Sequence, residues 1–266
     1  MIKKLFKKGF RYKCLKLIAN TFCNRKEIIK FLKIFSEEIK VNSGVFQGSK
    51  LSPTLFALYM SDISNGINSD LKQFADDTLL IKLIYQLKDT EILQSDINQL
   101  CKWTVDNDIK LNPQKSKHLR ITLKKCNDLP KYKINSDLIE TVEEHEHLGF
   151  ILDSKLSFNS ICNKLVSKAY KKWFLLRYLC SKVDGNVFLR LYKTYILLIL
   201  EFCNIVWLPN KSQSNRLEKV PKKVTKFIAF KLNKSNLNYS QSLKELGLKS
   251  LHNRASVEIC TKNQSF

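Results

Sequence analysis

The 266-residue sequence has little glycine and proline, only 7 and 5 residues, and it therefore contains no low-complexity linker. No segment recurs with a period of 20 to 50 residues, which excludes a solenoid of stacked repeats. Acidic residues are also scarce: 24 Asp and Glu stand against 46 Lys and Arg, giving a formal net charge of +22. This imbalance indicates a polyanionic partner.

Cysteine pairs and long apolar runs are absent as well. The eight cysteines form no CxxC pair and follow no secretory segment, so neither a zinc module nor a disulfide framework is expected. An intracellular setting, cytoplasm or nucleus, is expected instead. The most apolar stretch, residues 195–208, is too short to span a membrane and contains Glu201, which predicts a buried helix and no membrane segment. The basic, amphipathic residues 1–20 lack the Ser content and cleavage site of a transit peptide, which favours an exposed helix.

The sequence does contain enough apolar material for a folded core. Hydrophobic residues make up 44% of the chain, including 16 Phe, which suffices for one large domain or two small ones. The basic charge lies at the two ends: residues 1–26 hold nine basic and no acidic groups, and residues 209–266 hold twelve basic and three acidic groups. Residues 27–208, between these two ends, are close to balanced in charge.

Periodicity in the first part predicts a helix over residues 11–35 and a short strand over residues 38–45. The strand leads into the loop GVFQGSKLSP, where Ser52 is predicted as N-cap and Pro53 as the first helical residue. The residues predicted to share one face of that helix are Leu55, Phe56, Tyr59 and Ile63.

The segment LKQFADDTLLI predicts a β-hairpin that carries Asp76 and Asp77 at its turn. A helix over residues 91–109 follows, with Leu93, Ile97 and Leu100 facing inward.

Beyond that helix, the segment LNPQKSKHLRITL predicts a loop and then a strand. Its alternating apolar residues are Leu119, Ile121 and Leu123. A strand pair around residues 132–139 and 146–152 is expected to bracket a turn at Asn135 and Ser136.

The second part is predicted to be helical. Residues 159–180 form an amphipathic pattern bordered by lysines, and residues 186–207 predict a more apolar, buried helix that stops before Pro209. The apolar stripe of the first of these helices consists of Ile161, Leu165, Ala169 and Trp173. KVPKKVTKFIAFK and LKELGLKSL predict two further short helices. We expect a domain boundary near residue 155, giving domains 1–155 and 156–266.

Two adjacent carboxylates at a tight turn can point at one divalent cation, and Mg²⁺ prefers such hard oxygen ligands. Phosphoryl transfer uses bound metal to stabilise negative charge and to align the reacting oxygens. Asp is also a common turn residue, so Asp76 and Asp77 alone allow a purely structural interpretation. The same holds for Gln47, Gly48 and Ser49, whose loop is either an ordinary strand-to-helix turn or a place where the backbone closely approaches a nucleotide.

Taken together, GVFQGSKLSPTLFALYMSDI and QFADDTLLI resemble motifs B and C of reverse transcriptases of the jockey-type non-LTR (LINE-like) retrotransposons. LNPQKSKHLRITL resembles motif D, HLGFILDSKLSFNSIC the primer-grip region, and YSQSLKELGLKSLHNRASVEI the segment that follows the thumb, so the resemblance covers most of residues 9–266. It implies an α+β palm of antiparallel strands and packed helices in residues 1–155, followed by an α-helical thumb and C-terminal region.

The resemblance also implies roles for particular residues. Asp76 and Asp77 would be catalytic ligands of Mg²⁺, and Gln47, Gly48 and Ser49 would contact the incoming deoxynucleotide or the template. Lys115 would assist pyrophosphate departure, although a solvated loop lysine is the alternative. The partners implied are an RNA template, a DNA primer and deoxynucleotide triphosphates.

Two departures from the family pattern stand out. Phe46 occupies a position where the family usually has Pro, which removes a fixed φ and is expected to loosen the loop. In addition, no residue matches the metal-binding aspartate of motif A, because the first aspartate in the chain is Asp62. We therefore expect the chain to begin just after motif A, and Glu27, Glu37 and Glu38 to be solvated charges rather than substitutes.

Three function hypotheses remain open. The chain is part of an RNA-directed DNA polymerase, impaired alone unless another chain supplies motif A; or it is a non-catalytic nucleic-acid-binding remnant; or it is a relic without affinity for nucleic acid. The three histidines His118, His145 and His147 lack metal-ligand spacing and are expected on surface strands. The three tryptophans, Trp103, Trp173 and Trp207, are expected to pack in cores.

Overall fold

A computed structural model describes residues 1–41, 44–124, 130–234 and 236–254 of the chain. Helices and short strands are both present, which confirms the predicted α+β class. The described residues divide into two compact units: the first consists of those within 1–116 and 129–139, and the second of those within 117–128 and 140–266. The chain passes from the first unit to the second after residue 116, returns between residues 124 and 130, and passes to the second again after residue 139. The division into palm and thumb near residue 155 stays a prediction.

The first unit combines short helices with two-stranded ladders, all of them antiparallel in its described part. Its helices are α1 (Ile2–Lys7), α2 (Tyr12–Phe22), α3 (Ser52–Met60) and α4 (Leu87–Asp106). Its strands are β1 (Arg25–Glu27), β2 (Lys30–Phe31), β3 (Ile34–Phe35), β4 (Ile39–Val41), β5 (Asp70–Phe74), β6 (Asp77–Ile81), β8 (Lys133–Ile134) and β9 (Asp137–Leu138). The pairs are β1 with β4, β2 with β3, β5 with β6 and β8 with β9.

The helix predicted over residues 11–35 is wrong beyond Phe22. Asn24 has a left-handed φ of 52°, which turns the chain out of the helix, and β1 then pairs with β4. The apolar residues after Asn24 include β-branched and aromatic side chains, which fit a strand as well as a helix, and cross-strand pairing decides between the two. The strand predicted over residues 38–45 is confirmed for Ile39–Val41; residues 42 and 43 lie outside the described residues, and the strand does not resume at residues 44–45.

The helix predicted after the GVFQGSKLSP loop is confirmed, but its N-cap assignment is wrong. Leu51 is the N-cap, and Ser52 is the first helical residue, with a buried side chain that makes no cap hydrogen bond. Pro53 lies in the first turn, where its missing N–H removes no intrahelical bond. Helix α3 ends at Met60, so Ile63 follows the helix, although both side chains pack in one cluster.

Helix α4 begins at Leu87, earlier than predicted, because Gln86 and Asp89 form a reciprocal capping box. Its inward residues Ile97 and Leu100 are buried as predicted, and Leu93 is partly buried. The described part of the first unit buries three small apolar clusters rather than one large core. Their buried members are Met60, Ile63, Leu100 and Trp103; Ile97, Cys101, Tyr132 and Ile134; and Leu5, Ile18 and Leu55.

The turn predicted at Asn135 and Ser136 is confirmed, since it joins β8 to β9 and Asn135 has a φ of 54°. The predicted partner of this strand pair is wrong. Residues 146–152 belong instead to a separate hairpin of the second unit, in which residues 144–147 pair with residues 150–153.

The second unit is mainly helical. Its helical elements are α5 (Asn159–Leu179), α6 (Gly185–Leu191), a π-helical segment (Tyr192–Leu197), α7 (Leu198–Leu200), α8 (Lys211–Lys231) and α9 (Tyr239–Glu245). Its strands are β7 (Lys117–Leu119), β10 (Glu140–Val142), β11 (Glu144–His147) and β12 (Phe150–Asp153). Strand β7 pairs in parallel with β10, and β11 pairs antiparallel with β12.

The strand predicted after Pro113 is confirmed only up to Leu119. The ladder of β7 with β10 has three residue pairs, after which the chain leaves it. Ile121 and Leu123 are therefore 51% and 90% exposed, and the alternation predicted for them is wrong.

The amphipathic helix predicted over residues 159–180 is confirmed as α5. Its predicted stripe, from Ile161 to Trp173, is buried, with at most 4% exposure at each of the four positions. The stripe packs in the large core of the second unit, which also contains Phe150, Phe188 and Trp207. The three predicted core tryptophans are all buried.

The single helix predicted over residues 186–207 is wrong in extent. Helix α6 runs into the π-helical segment and α7, which ends at Leu200, and residues 201–206 form turns. The predicted burial of this stretch is confirmed only in part. Ile196, Leu200 and Trp207 are buried, whereas Leu198, Ile205 and Val206 are mostly exposed.

The segment KVPKKVTKFIAFK belongs to one long helix, α8, rather than a short one, and Pro221 lies inside it. The helix predicted in LKELGLKSL is confirmed in part by α9. Glu218 of α8 accepts hydrogen bonds from the Tyr239 hydroxyl and the Leu251 amide, and Glu201 pairs with Arg254. Burial and the neighbouring Glu218 raise the pKa of Tyr239 well above its usual range. These contacts tie the described C-terminal residues to the core helices.

Candidate active site at a carboxylate hairpin

Asp76 and Asp77 lie at the tip of the hairpin formed by β5 and β6, as predicted. The register pairs Phe74 with Asp77, so Ala75 and Asp76 are the two turn residues. Ala75 has a left-handed φ of 52°, an uncommon conformation for alanine. We call β5, β6 and this turn the carboxylate hairpin.

The base of the carboxylate hairpin is anchored by apolar packing. Leu71 and Leu80 are cross-strand partners, and both pack against the buried cluster that contains Leu100 and Trp103. At the other end, the two carboxylates are exposed. The hairpin is therefore fixed at its base and projects its acidic tip.

Asp96 of α4 fixes the residues that enter β5. Its side chain is 1% exposed, and it accepts hydrogen bonds from both the backbone and the side chain of Asn68 and of Ser69, at 2.5 to 3.3 Å. Burial raises the pKa of Asp96, but these hydrogen bonds outweigh it and hold the pKa below its usual value. Asp96 was not among the predicted site residues, although an aspartate on the inward face of an amphipathic helix was a signal that could have identified it.

The chemistry of Asp76 and Asp77 suits a hard divalent cation. Their carboxylates are exposed, and within the described ranges neither makes a hydrogen bond or an ion pair, so their oxygens are available as ligands. Two carboxylates are nevertheless an incomplete set: the described residues contain no group of three or more His, Cys, Asp or Glu side chains that could hold a metal.

The loop that contains Gln47, Gly48 and Ser49 lies between β4 and α3. Gln47 and Gly48 are exposed; Gly48 has a φ of +77°, with no atom within 4 Å of the position of a Cβ. Ser49 Oγ accepts a hydrogen bond from the Leu51 amide. No hydrogen bond or ion pair joins this loop to the carboxylate hairpin in the described part of the chain, so the expected proximity of the two stays a prediction.

Phe46, which precedes this loop, packs against two residues from the start of the chain. Its ring lies 6.4 Å from that of Phe22, at an interplanar angle of 29°. The guanidinium of Arg25 lies over both rings, 5.4 Å from the centroid of Phe22 and 5.2 Å from that of Phe46. We call these three residues the Phe46 clamp. Sequence analysis expected a loosened loop here and missed the clamp, because its members are distant in sequence.

Lys115 lies in the turn after Pro113, where its amide donates to Asn112 Oδ1 and to the Asn112 carbonyl. Its side chain is exposed, and its expected approach to the carboxylate hairpin stays a prediction.

Asp62, the first aspartate of the chain, has a structural role. It pairs with Lys4 at 2.6 Å and accepts a hydrogen bond from Trp103 Nε1 at 3.1 Å. Although burial raises the pKa of Asp62, Lys4 and Trp103 together lower it. The three glutamates at positions 27, 37 and 38 are exposed, as expected, and Glu38 pairs with Lys26.

The histidines lie on strands, as expected: His118 on β7, and His145 and His147 on β11. His118 Nδ1 is 3.1 Å from Thr141 Oγ1 on the paired strand. Burial and the neighbouring Arg120 lower the pKa of His118, which favours the neutral imidazole. In the described part of the chain, no helix is both long and apolar enough to cross a membrane.

Comparison with known proteins identifies the class to which this site belongs. Residues 2–152 match the family model described as reverse transcriptase (RNA-dependent DNA polymerase). This match covers more than half of the chain, including the carboxylate hairpin, and the chain therefore belongs to the reverse transcriptase family. Members of this family generally depend on a divalent metal.

Similar proteins come from mobile elements of Drosophila. The chain is 30% identical over 127 residues to the RNA-directed DNA polymerase from mobile element jockey of Drosophila funebris, which covers 44% of the chain and 14% of that protein. It is 28% identical over 223 residues to the probable RNA-directed DNA polymerase from transposon X-element of Drosophila melanogaster, covering 80% of the chain and 24% of that protein. These similarities confirm the jockey-type relationship at modest identity.

A third similar protein is the probable RNA-directed DNA polymerase from transposon BS of Drosophila melanogaster, 24% identical over 194 residues, which covers 68% of the chain and 21% of that protein. The chain thus spans between 14% and 24% of the length of these three relatives. No solved structure matches it.

Proposed function

We propose that this chain forms part of the polymerase site of a non-LTR retrotransposon reverse transcriptase, which adds deoxynucleotides to a primer 3′ end under the direction of an RNA template. The observation that supports the proposal is the carboxylate hairpin: two adjacent, exposed carboxylates at a tight turn, in a chain of this family. Asp76 and Asp77 hold Mg²⁺, which when bound stabilises the negative charge that develops on the transferred phosphoryl group.

The other site residues act on the nucleotide. Gln47 offers an amide donor and acceptor, and Gly48 lets the backbone come close to the sugar or base. Ser49 braces the end of the loop through its bond to the Leu51 amide. Lys115, on a turn held by Asn112, supplies a positive charge to the departing pyrophosphate.

The helices of the second unit act as a thumb that holds the nucleic acid. Helix α5 contains five basic and no acidic residues, and α8 contains seven basic residues and one acidic residue. The two helices pack on each other, and their exposed faces carry Lys168, Lys171, Lys222, Lys223 and Lys226. Such faces bind phosphates without reading sequence.

A non-catalytic nucleic-acid-binding protein is the second candidate. It is favoured by one observation: the two carboxylates of the hairpin have no third metal-binding side chain beside them in the described residues. Two-metal chemistry requires ligands on both sides of the ions. The family assignment is the same for both candidates.

Primer extension by the purified chain distinguishes the two. We expect little or no incorporation by the chain alone, and incorporation when a segment carrying motif A, taken from the jockey polymerase, is added in trans. Asp76→Ala should abolish that activity, whereas Asp70→Ala, an exposed aspartate at the base of the same hairpin, should retain it. Robust incorporation by the chain alone that is lost in Asp76→Ala would show that the missing carboxylate is not needed. Incorporation that is absent in every mixture would favour the non-catalytic candidate.

A further inference from the structure

The Phe46 clamp joins three parts of the first unit that are separate in sequence. Phe22 is the last residue of α2, Arg25 is the first residue of β1, and Phe46 directly precedes Gln47. Arg25 is 7% exposed and is held in place by the pairing of β1 with β4, in which it faces Val41. The Phe46 clamp therefore connects the start of the loop of Gln47, Gly48 and Ser49 to the end of α2 and to the paired strand β1.

We propose that Phe46 is a positioning residue for the loop of Gln47, Gly48 and Ser49, and that the Phe46 clamp restricts the backbone where this loop begins. The role of the loop in nucleotide binding rests on the proposed function. Where proline restricts the backbone directly, Phe46 restricts it through its side chain, by stacking on Phe22 and by contact with the Arg25 guanidinium.

The backbone at Phe46 meets two requirements of proline. Among the described residues Phe46 does not have a positive φ, and its amide makes no hydrogen bond with any of them. Proline at this position would therefore break no backbone hydrogen bond, and it would restrict the preceding Val45 to an extended conformation. Hence Phe46→Pro should keep the loop ordered although the aromatic contacts are lost. Phe46→Ala should have neither the aromatic contacts nor the fixed φ of proline.

Tryptic cleavage after Lys50 measures the order of this loop in the full chain, because Lys50 is exposed and directly follows Ser49. Phe46→Ala should speed cleavage after Lys50 about tenfold, the change expected when one aromatic pair and one cation–π contact are lost. Phe46→Pro should remain near the native rate. Cleavage after Lys33, in the turn between β2 and β3, should be the same in all variants.

Phe31→Ala is the matched control, since Phe31 is 71% exposed on β2 and lies outside the clamp. Arg25→Lys keeps the charge but loses the planar stacking surface. It should speed cleavage after Lys50 in the native background and have a smaller effect in Phe46→Pro. Additive effects of the two substitutions would contradict the clamp, and so would a Phe46→Pro protein cleaved as fast as Phe46→Ala.

A second measurement tests positioning for nucleotide rather than loop order alone. With primer–template, Mg²⁺ and the segment carrying motif A present, a deoxynucleotide triphosphate should slow cleavage after Lys50. The concentration giving half protection should rise about tenfold in Phe46→Ala and return to the native value in Phe46→Pro. An unchanged midpoint in Phe46→Ala would reduce Phe46 to a purely structural residue and overturn the proposal. Absence of protection in every variant would refute the role of the loop in the proposed function, while the rates without nucleotide would still decide whether the clamp orders the loop.

Discussion

Asp96 shows how one buried side chain can control a distant, exposed pair. Its carboxylate holds the two residues that precede β5, and β5 leads directly to Asp76. Because β5 is short, a change in the position of Asn68 and Ser69 should change the direction in which Asp76 and Asp77 point. Asp96 is thus a support of the candidate site rather than a member of it.

Replacement of Asp96 by Ala should lower the free energy of unfolding by about 2–3 kcal/mol, because the buried amide and hydroxyl of Ser69 lose a charged acceptor. Urea unfolding followed by circular dichroism gives this value. The matched control is Asp70→Ala, which removes an exposed aspartate paired with Lys72 and should cost less than about 1 kcal/mol. Equal losses in the two variants would contradict the anchoring role of Asp96.

The contribution of Asp96 to stability should also depend on pH. The folded-state pKa of Asp96 lies below that of an unfolded aspartate, about 3.9, so folding favours the ionised form. The contribution is therefore complete above that unfolded value and is lost as the pH falls through the lower folded-state pKa. The stability difference between the native chain and Asp96→Asn, measured from neutral pH down to pH 3, should shrink in acid. A difference that is constant over this range would show that the ionised form is not the one stabilised.

At the scale of elements, the turn of the carboxylate hairpin departs from what a tight turn prefers. Two-residue hairpin turns favour Gly or Asn where φ is positive, yet Ala75 occupies that position with a φ of 52°. The hairpin therefore carries backbone strain next to its carboxylates, and the pairing of β5 with β6 and the packing of Leu71 and Leu80 hold it in place.

Ala75→Gly should raise the free energy of unfolding by about 0.5–1 kcal/mol, because glycine adopts positive φ without strain. Ala57→Gly is the control of opposite sign. Ala57 is exposed within α3, where glycine should cost about 1 kcal/mol. Thermal unfolding of the two variants measures both changes, and a loss of stability in Ala75→Gly would show that this turn is not strained.

The elements also show where sequence reasoning succeeds. The stripe of α5 repeats over more than three turns without a break, and the structure buries every predicted member. The carboxylate hairpin was equally predictable, since Asp76 and Asp77 interrupt a β-prone run. The helix predicted over residues 11–35 was wrong because nothing local distinguishes a helix from the strand at Arg25–Glu27, whose partner lies beyond the next hairpin. Asp96 and the Phe46 clamp depend on tertiary contacts, which periodicity does not reveal.

At the scale of the whole molecule, the charge distribution predicts how nucleic acid should bind. Affinity for an RNA·DNA duplex should fall steeply with salt and vary little with sequence, because lysine contacts to phosphates release counterions. Replacing Lys168, Lys171 and Lys226 by Gln should make the slope of log affinity against log salt shallower by about 2–3. Fluorescence anisotropy at several salt concentrations measures this slope.

A second triple variant with the same change in charge serves as its control. It replaces Lys88, Lys102 and Lys110, which are exposed in the first unit, by Gln and should change the slope by less than about 1. Equal effects of the two triple variants would show that net charge, rather than the faces of α5 and α8, determines binding. Negligible affinity at low salt would contradict both proposed functions.

The parallel pairing of β7 with β10 has a consequence for folding during translation. Strand β7 leaves the ribosome before residues 130–139, which complete the first unit, and about 20 residues before its partner β10. At the usual rate of synthesis, roughly 1–4 s pass before β10 is made, and during this time β7 has an unpaired edge. The helices of the second unit are made later still. The first unit therefore receives its last residues only after a segment of the second has been synthesised, so a pause in translation between Leu119 and Glu140 should expose this strand to chaperones or to aggregation.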